Sequence, residues 1–165
     1  MLFKRRYYKR IKSTPLNWKT LEKFQRISKK PIILKGILSA DDALLAKKIG
    51  VDAIWISNHG GRVLETDITA LEQLNPIRRK VGKSLKIIVD GGIRTGSDVI
   101  KCLSLGADYV AIGRPLIYGL VADSKKGVER VLELYLNELK TSMRLCGFNK
   151  ISDLSQKNII NNLYE

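Results

Sequence analysis

The chain has 165 residues, of which 44% are hydrophobic and 28% are charged, and its net charge is +14 at pH 7. This composition is typical of a globular domain and excludes an intrinsically disordered chain. No apolar run approaches the ~20 residues that a membrane-spanning helix needs, and no apolar signal-peptide segment follows the basic N-terminus.

The chain begins with a basic segment, residues 1–14, that contains no acidic residue. Three interpretations of this segment remain open: a solvated extension, an arm that contacts nucleic acid or an anionic membrane, and an organellar targeting segment. Its six cations are Lys4, Arg5, Arg6, Lys9, Arg10 and Lys12.

From residue 15 onward the spacing of apolar residues predicts alternating helices and strands. Short β-branched runs predict strands at residues 31–35, 53–57, 85–90 and 109–112. Amphipathic spacing predicts helices at residues 16–24, 39–49, 68–81, 97–105 and 127–146. Ser39 is expected to cap the second helix, and Pro76 is expected to kink the third. Three glycines are expected to end helices: Gly50, Gly106 and Gly147.

Cysteine and histidine are scarce. Cys102 and Cys146 form no CxxC motif, and His59 is the single histidine. We therefore expect no disulfide scaffold and no metal site. A reducing compartment follows, so we predict a cytoplasmic protein, with peripheral attachment to the inner membrane as an alternative.

The sequence contains an internal repeat. A shift of 56 positions places Ile32 on Ile88, Gly36 on Gly92 and Gly50 on Gly106. The repeated unit is strand, loop, helix, glycine and strand, which predicts parallel β-strands in an α/β fold. An α/β barrel suits two strands per repeat, although a doubly wound sheet remains an alternative at this stage.

The predicted strands end in loops rich in glycine and charge. The last two of these loops, at residues 90–96 and 113–114, each combine glycine with an arginine, Arg94 or Arg114. Glycine lets backbone N–H groups approach an anion, and a guanidinium can bind phosphate oxygens in a fork. The pattern favours a phosphate site over the alternative that the glycines only form tight turns.

The loop after the second predicted strand contains His59 and Arg62. Because this loop is polar, we interpret His59 as a proton acceptor near neutral pH and not as a core histidine. Arg62 could clamp a carboxylate. Lys35 lies at the end of an apolar strand, and we expect its ammonium group to face the same site instead of lying along the surface.

Five segments together resemble the FMN-dependent α-hydroxy-acid dehydrogenase/oxidase family, which includes L-lactate dehydrogenases, lactate oxidases and glycolate oxidases. They are LNWK (16–19), PIILKG (31–36), SNHGGR (57–62), DGGIRTG (90–96) and GRP (113–115). The resemblance implies that residues 15–155 form the C-terminal half of a (β/α)8 barrel with a long closing helix, followed by a polar tail at residues 156–165. A complete barrel needs about 250 residues, so the first four strands have no counterpart.

The same resemblance implies roles for particular residues. His59 would be the catalytic base, and Arg62 would anchor the substrate carboxylate. Lys35 would stabilise the negative charge of the reduced flavin, and Ser57 would contact the flavin. The residues implied to hold the FMN ribityl phosphate are Asp90, Gly91, Gly92, Ile93, Arg94, Gly113 and Arg114.

The implied activity is the FMN-dependent oxidation of a small L-2-hydroxy acid, such as L-lactate, to the 2-keto acid. Two alternatives stay open: a truncated, non-catalytic remnant or half-barrel that needs a complementing chain, and a binding module whose basic arm contacts nucleic acid or membrane. A half-barrel exposes two strand edges, so the expected partners are the hydroxy acid and either a second copy or a complementing half-barrel.

Overall fold

A computed structural model of the chain describes residues 16–62 and 68–159. Within these residues the fold is one parallel sheet with helices, in α/β order. The strands are β1 (Ile33–Ile37), β2 (Ala53–Ile56), β3 (Lys86–Val89) and β4 (Tyr109–Val110). The helices are α1 (Trp18–Ile27), α2 (Ala40–Ile49), α3 (Ala70–Val81), α4 (Gly96–Ser104) and α5 (Arg114–Leu145). The basic segment 1–14 and residues 160–165 of the polar tail lie outside the described residues.

The strands lie side by side in chain order, β1-β2-β3-β4, and all three pairings are parallel. A doubly wound sheet reverses its strand order at a switch point, whereas a barrel adds each βα unit beside the last. The described sheet has no such reversal. The order therefore favours consecutive units of a barrel and resolves the alternative that the repeat left open.

Local capping explains where the helices begin. Ser39 Oγ accepts hydrogen bonds from the N–H groups of Asp41 and Asp42, so the predicted cap of α2 is confirmed. Helix α3 begins two residues later than predicted because Thr69 and Glu72 form a capping box. Helix α3 continues through Pro76 as one element.

Helix α5 is broken. It begins at Arg114, and Asp123 and Ser124 have non-helical backbone angles that divide it shortly before residue 127, where the long closing helix was predicted to begin. A Cβ atom on Gly127 would lie only 1.9 Å from the carbonyl oxygen of Gly119. The break thus lets two parts of α5 touch backbone to backbone, and only glycine permits that approach.

The two faces of the sheet differ in burial. One face packs against the helices through the fully buried side chains of Ile54, Ile56 and Ile87. The register places Lys35, Trp55, Ile88 and Tyr109 in one row on the opposite face. Tyr109 at the β4 edge is 59% exposed. Parallel sheets are normally covered on both faces, so this second face is the one that the remainder of a barrel would cover.

An ionic network joins the N-terminal ends of β3 and β4. Asp108 pairs with Arg78 and with Lys86, and it accepts a 2.9 Å hydrogen bond from the Ile87 N–H group. Burial opposes ionisation of Asp108, but the Ile87 hydrogen bond and the two cations outweigh it and lower the pKa of the carboxyl. Arg78 also donates to the Gly106 carbonyl at 2.7 Å, which fixes α3 against the turn before β4.

We predict that Asp108→Asn lowers the stability of the fold by about 1–2 kcal/mol at pH 7, because the hydrogen bonds to a charged group are weakened. Folding lowers the pKa of Asp108, so its stabilisation is present above the ordinary value of about 4 and is lost as the pH falls through the folded-state pKa. Thermal melts of both proteins should therefore differ clearly at pH 7 and converge toward pH 3. Asp41→Asn, at an exposed surface pair, serves as the control; equal melting of Asp108→Asn and the parent at pH 7 would contradict the prediction.

Candidate functional site

The carboxyl ends of β1, β2 and β3 meet at one side chain. The Lys35 ammonium donates to Ser57 Oγ at 2.7 Å and to Asp90 Oδ2 at 3.0 Å. It also lies 4.6 Å from the centroid of the Trp55 ring, at cation–π distance. A register shift after Lys35, with Gly36 at φ 92°, ends the regular pairing of β1 there. Lys35 thus faces the sheet edge where the predicted site residues lie.

The His59 loop is held by its own backbone hydrogen bonds. The His59 N–H group donates to Ser57 Oγ at 3.1 Å, and the Gly60 N–H group donates to Asn58 Oδ1 at 3.0 Å. His59 adopts φ 59°, a left-handed conformation that is rare for a residue with a side chain. Such strain persists where surrounding contacts over-determine it, and it clusters at functional sites. The imidazole of His59 and the side chain of Arg62 are exposed at this edge.

The glycine-rich loop after β3 adds backbone groups to the same edge. Gly91 and Gly92 have φ values of 101° and 73°, so side chains would be disfavoured at both positions. The backbone carbonyl of Ile93 accepts a 3.0 Å hydrogen bond from the buried Tyr135 hydroxyl of α5. Burial raises the pKa of Tyr135, although the nearby positive charge of Arg94 opposes this. Tyr135 therefore fixes the loop that carries Arg94, a role that sequence analysis did not find.

The helix starts behind the two glycine loops differ. At α4, Asp98 accepts from the N–H groups of Arg94 and Thr95, both at 3.1 Å, and Glu138 accepts from that of Gly96 at 2.8 Å. The N–H groups of Arg94, Thr95 and Gly96 are therefore already occupied by carboxylates. Helix α5 begins after Gly113 with no side-chain cap. Pro115 has no N–H group and the Leu116 N–H group donates to the Gly113 carbonyl at 3.0 Å, so of the first three residues only Arg114 offers an N–H group to an anion.

The loops enclose a cleft of about 170 Å³. A Cβ atom on Gly60 would lie 3.3 Å from Arg114 Nη2, so the His59 loop and the start of α5 are in contact. The cleft is smaller than the 300–1,000 Å³ typical of a site that encloses a small ligand, so it suits one anionic end of a larger molecule. Its lining includes nine of the eleven predicted site residues, all but Lys35 and Ser57: His59, Arg62, Asp90, Gly91, Gly92, Ile93, Arg94, Gly113 and Arg114.

A family model described as FMN-dependent dehydrogenase matches residues 2–161. The chain belongs to this family. It is 42% identical to human 2-hydroxyacid oxidase 2 over 144 residues, which are 87% of this chain and 41% of that protein. It is also 46% identical to an L-lactate oxidase of Lysinibacillus sphaericus (89% of this chain, 38% of that protein) and 43% identical to an L-lactate dehydrogenase of Vibrio cholerae (88% and 38%).

A solved structure of mandelate oxidase with benzoyl-formic acid matches the fold with a TM-score of 0.81. It is 38% identical in sequence, and the match covers 85% of this chain and 42% of that one. The resemblance read from the sequence and the expected partial α/β barrel are thereby confirmed. The chain spans about two fifths of the length of the curated relatives it matches.

The cofactor of the family is FMN, as predicted, and the groups around the cleft fit its phosphorylated side chain. Arg94 and Arg114 provide two cations, and the uncapped start of α5 provides the Arg114 N–H group. Asp90 Oδ1 is buried and has no hydrogen-bond partner among the described residues. An unpaired carboxylate oxygen beside an anion site suits a ligand that carries hydroxyl groups next to its phosphate, as the ribityl chain does.

In residues 16–62 and 68–159, no group of three or more His, Cys, Asp and Glu side chains could hold a metal ion. Within the same ranges, none of the helices has both the length and the apolar character that crossing a membrane requires.

Proposed function

We propose that this chain supplies the catalytic base, the substrate anchor and the phosphate-binding loops of an FMN-dependent site that oxidises a small L-2-hydroxy acid, such as L-lactate, to the 2-keto acid. The observation that carries the proposal is the convergence of Lys35, the His59 loop and the arginines of the cleft at one sheet edge. The names of the relatives, which include lactate and 2-hydroxyacid oxidases, support this substrate class. A cytoplasmic location stays a prediction.

The phosphate end of FMN is assigned to the cleft. Arg94 and Arg114 would neutralise the phosphate, and the backbone around Gly91, Gly92 and Gly113 would let it approach closely. Asp90 Oδ1 would accept a hydrogen bond from a hydroxyl of the ribityl chain. Ile93 would contribute through its loop, which Tyr135 holds in place.

Lys35 and Ser57 are assigned to the flavin ring. FMN, when bound, accepts the two electrons that leave the substrate. Asp90 and Ser57 fix the position of the Lys35 ammonium group, and a fixed charge stabilises developing negative charge without reorganisation. Ser57 is 3% exposed, and its Oγ accepts hydrogen bonds from both Lys35 and the His59 backbone.

His59 and Arg62 are assigned to the substrate. An imidazole can accept a proton near neutral pH, and the backbone of His59 is fixed by Ser57. Arg62 follows three residues later at the exposed end of the same turn, where its guanidinium can pair with a carboxylate in a fork. The base would remove the substrate proton while the anchor fixes the orientation of the acid.

The sheet of the described residues forms only part of a barrel, so the site needs further strands to be complete. On the face of the sheet that carries Lys35, Tyr109 is exposed, and the Trp55 Nε1–H group is buried without a hydrogen-bond partner among the described residues. We propose that a second copy of the chain or a complementing half-barrel covers this face. Hydroxy-acid oxidation by the isolated chain is expected to be low.

We predict that Arg94→Ala or Arg114→Ala weakens FMN binding by about 1–3 kcal/mol, the usual range for a hydrogen bond to a charged group. Fluorescence titration with FMN measures the loss, and titration with riboflavin, which lacks the phosphate, should change little. Arg144→Ala removes the same charge from the exposed end of α5 and is the control. Equal FMN affinity in both cleft variants and the control would refute the phosphate assignment.

We predict that His59→Ala and Arg62→Lys impair different kinetic parameters once a relative's N-terminal half is fused to this chain. His59→Ala should lower kcat by roughly 10²–10⁴-fold, the usual contribution of a general base. Arg62→Lys should mainly raise KM for the hydroxy acid, because lysine lacks the planar fork. Steady-state assays separate the two effects, and turnover by His59→Ala near the parent rate would remove His59 from the mechanism.

We predict that the isolated chain self-associates through its uncovered sheet, since open edges and apolar faces drive association. Light scattering should report species larger than a monomer, and Tyr109→Lys at the β4 edge should reduce association. Leu145→Lys, at another exposed apolar side chain on the end of α5, should not. A monodisperse monomer with a sharp cooperative melt and flavin-dependent turnover would contradict this prediction.

A further inference from the structure

A second cavity lies at the amino ends of the strands, on the side of the sheet opposite the FMN cleft. It has a volume of about 440 Å³, which falls within the range of sites that enclose small organic ligands. It is bounded by the end of α3, the turn before β3, the end of α4 and the segment around Ser155. Since catalytic groups of barrels lie at the carboxyl edge, the proposed oxidation makes no use of this cavity.

The cavity carries an excess of positive charge. Four cations line it: Arg78, Arg79, Lys83 and Lys86. Arg78 and Lys86 share the carboxylate of Asp108, which also faces the cavity. Two helices end here, and each C-terminus contributes about half a negative charge. Even after Asp108 and both helix ends are counted, the cations exceed the negative charge by about two.

Two of these cations are free to act on a ligand. Arg79 and Lys83 have exposed side chains and no hydrogen bond or ion pair within the described ranges. The neighbouring Lys80, in contrast, faces Asp41 at 3.5 Å and does not line the cavity. The positive excess is therefore local to the cavity and is not a general property of the lysine-rich end of α3.

A buried hydroxyl group gives a second, independent indication of a ligand. Ser104 lines the cavity and is only 3% exposed. Its Oγ atom has no hydrogen-bond partner among the described residues. A buried hydroxyl without a partner costs free energy, and a small movement of the lining would let a ligand oxygen in the cavity reach and satisfy it.

We propose that this cavity binds a small phosphate-bearing molecule. A phosphate monoester carries −1.5 to −2 charges at pH 7 and three acceptor oxygens, which match the excess positive charge. Arg79 supplies a planar fork, Lys83 a point charge and Ser104 a hydroxyl donor. The enclosed volume favours a molecule of about nucleotide size over a polymer, which would lie across an open surface.

Isothermal titration with inorganic phosphate and with AMP tests this proposal in an Arg94→Ala/Arg114→Ala background, which removes the anion site of the FMN cleft. Arg79→Gln and Lys83→Gln should each weaken binding about tenfold, the size expected for one charged hydrogen bond. Lys80→Gln removes the same charge from the same helix outside the cavity and should leave the affinity unchanged. Ser104→Ala, which changes no charge, should weaken binding less but measurably.

The titration also distinguishes a built site from general attraction to a basic protein. Tighter binding of AMP than of inorganic phosphate would identify a site for an organic phosphate, and equal binding would identify a site for the phosphate group alone. Equal losses in Lys80→Gln and Lys83→Gln would overturn the proposal. Binding that is absent, or that only long polyphosphate produces, would overturn it as well.

Discussion

The site depends on one contact, in which the ammonium group of Lys35 bridges Ser57 and Asp90. Lys35 lies in β1, and Ser57 and Asp90 directly follow β2 and β3, so a single cation fixes the relative positions of three successive strands and the loops that follow. Ser57 then orients the His59 backbone, and Asp90 begins the loop that lines the cleft. A change at Lys35 would leave the carboxylate of Asp90 without its cation, and an uncompensated charge of this kind is more costly than a missing attraction. The same side chain thereby serves the geometry of the site and its electrostatics.

The order of the strands explains why this bridge can form and what it leaves uncovered. Parallel strands in chain order place every carboxyl end at one edge, so residues as far apart in sequence as Lys35 and Asp90 become neighbours. The helices cover only one face of the sheet, through Ile54, Ile56 and Ile87. The other face carries Lys35 and Trp55 and remains partly exposed. The chain thus carries the loops that follow four parallel strands but leaves one face of their sheet uncovered, consistent with its coverage of about two fifths of its relatives.

The sequence predicted what depends on local pattern and missed what depends on distant contacts. Strand ends are marked by β-branched runs followed by glycine and charge, so the placement of Ser57, Asp90 and Arg114 near one edge could be predicted. The occupation of the α4 start by Glu138 could not, because that residue lies 42 positions from Gly96 on another helix. Tyr135 was missed for the same reason, since an aromatic residue on an amphipathic helix usually indicates core packing. The long closing helix was predicted from residue 127, and the break at Asp123 and Ser124 lies just before it.

The two edges of the sheet set opposite electrostatic requirements. Helices begin at the carboxyl edge, where their partial positive charge adds to Arg94 and Arg114 and favours an anion. Helices end at the other edge, where some cations are needed only to balance carbonyl groups. Arg78 meets this need by donating to the Gly106 carbonyl and pairing with Asp108. Arg79 and Lys83 are not needed for this balance, and neither has a hydrogen bond or an ion pair with the described residues. The positive charge of these two residues is not required for stability, and they line the same cavity as Ser104, whose buried hydroxyl has no partner among the described residues. We therefore treat this end of the sheet as a binding site and not only as support for the barrel.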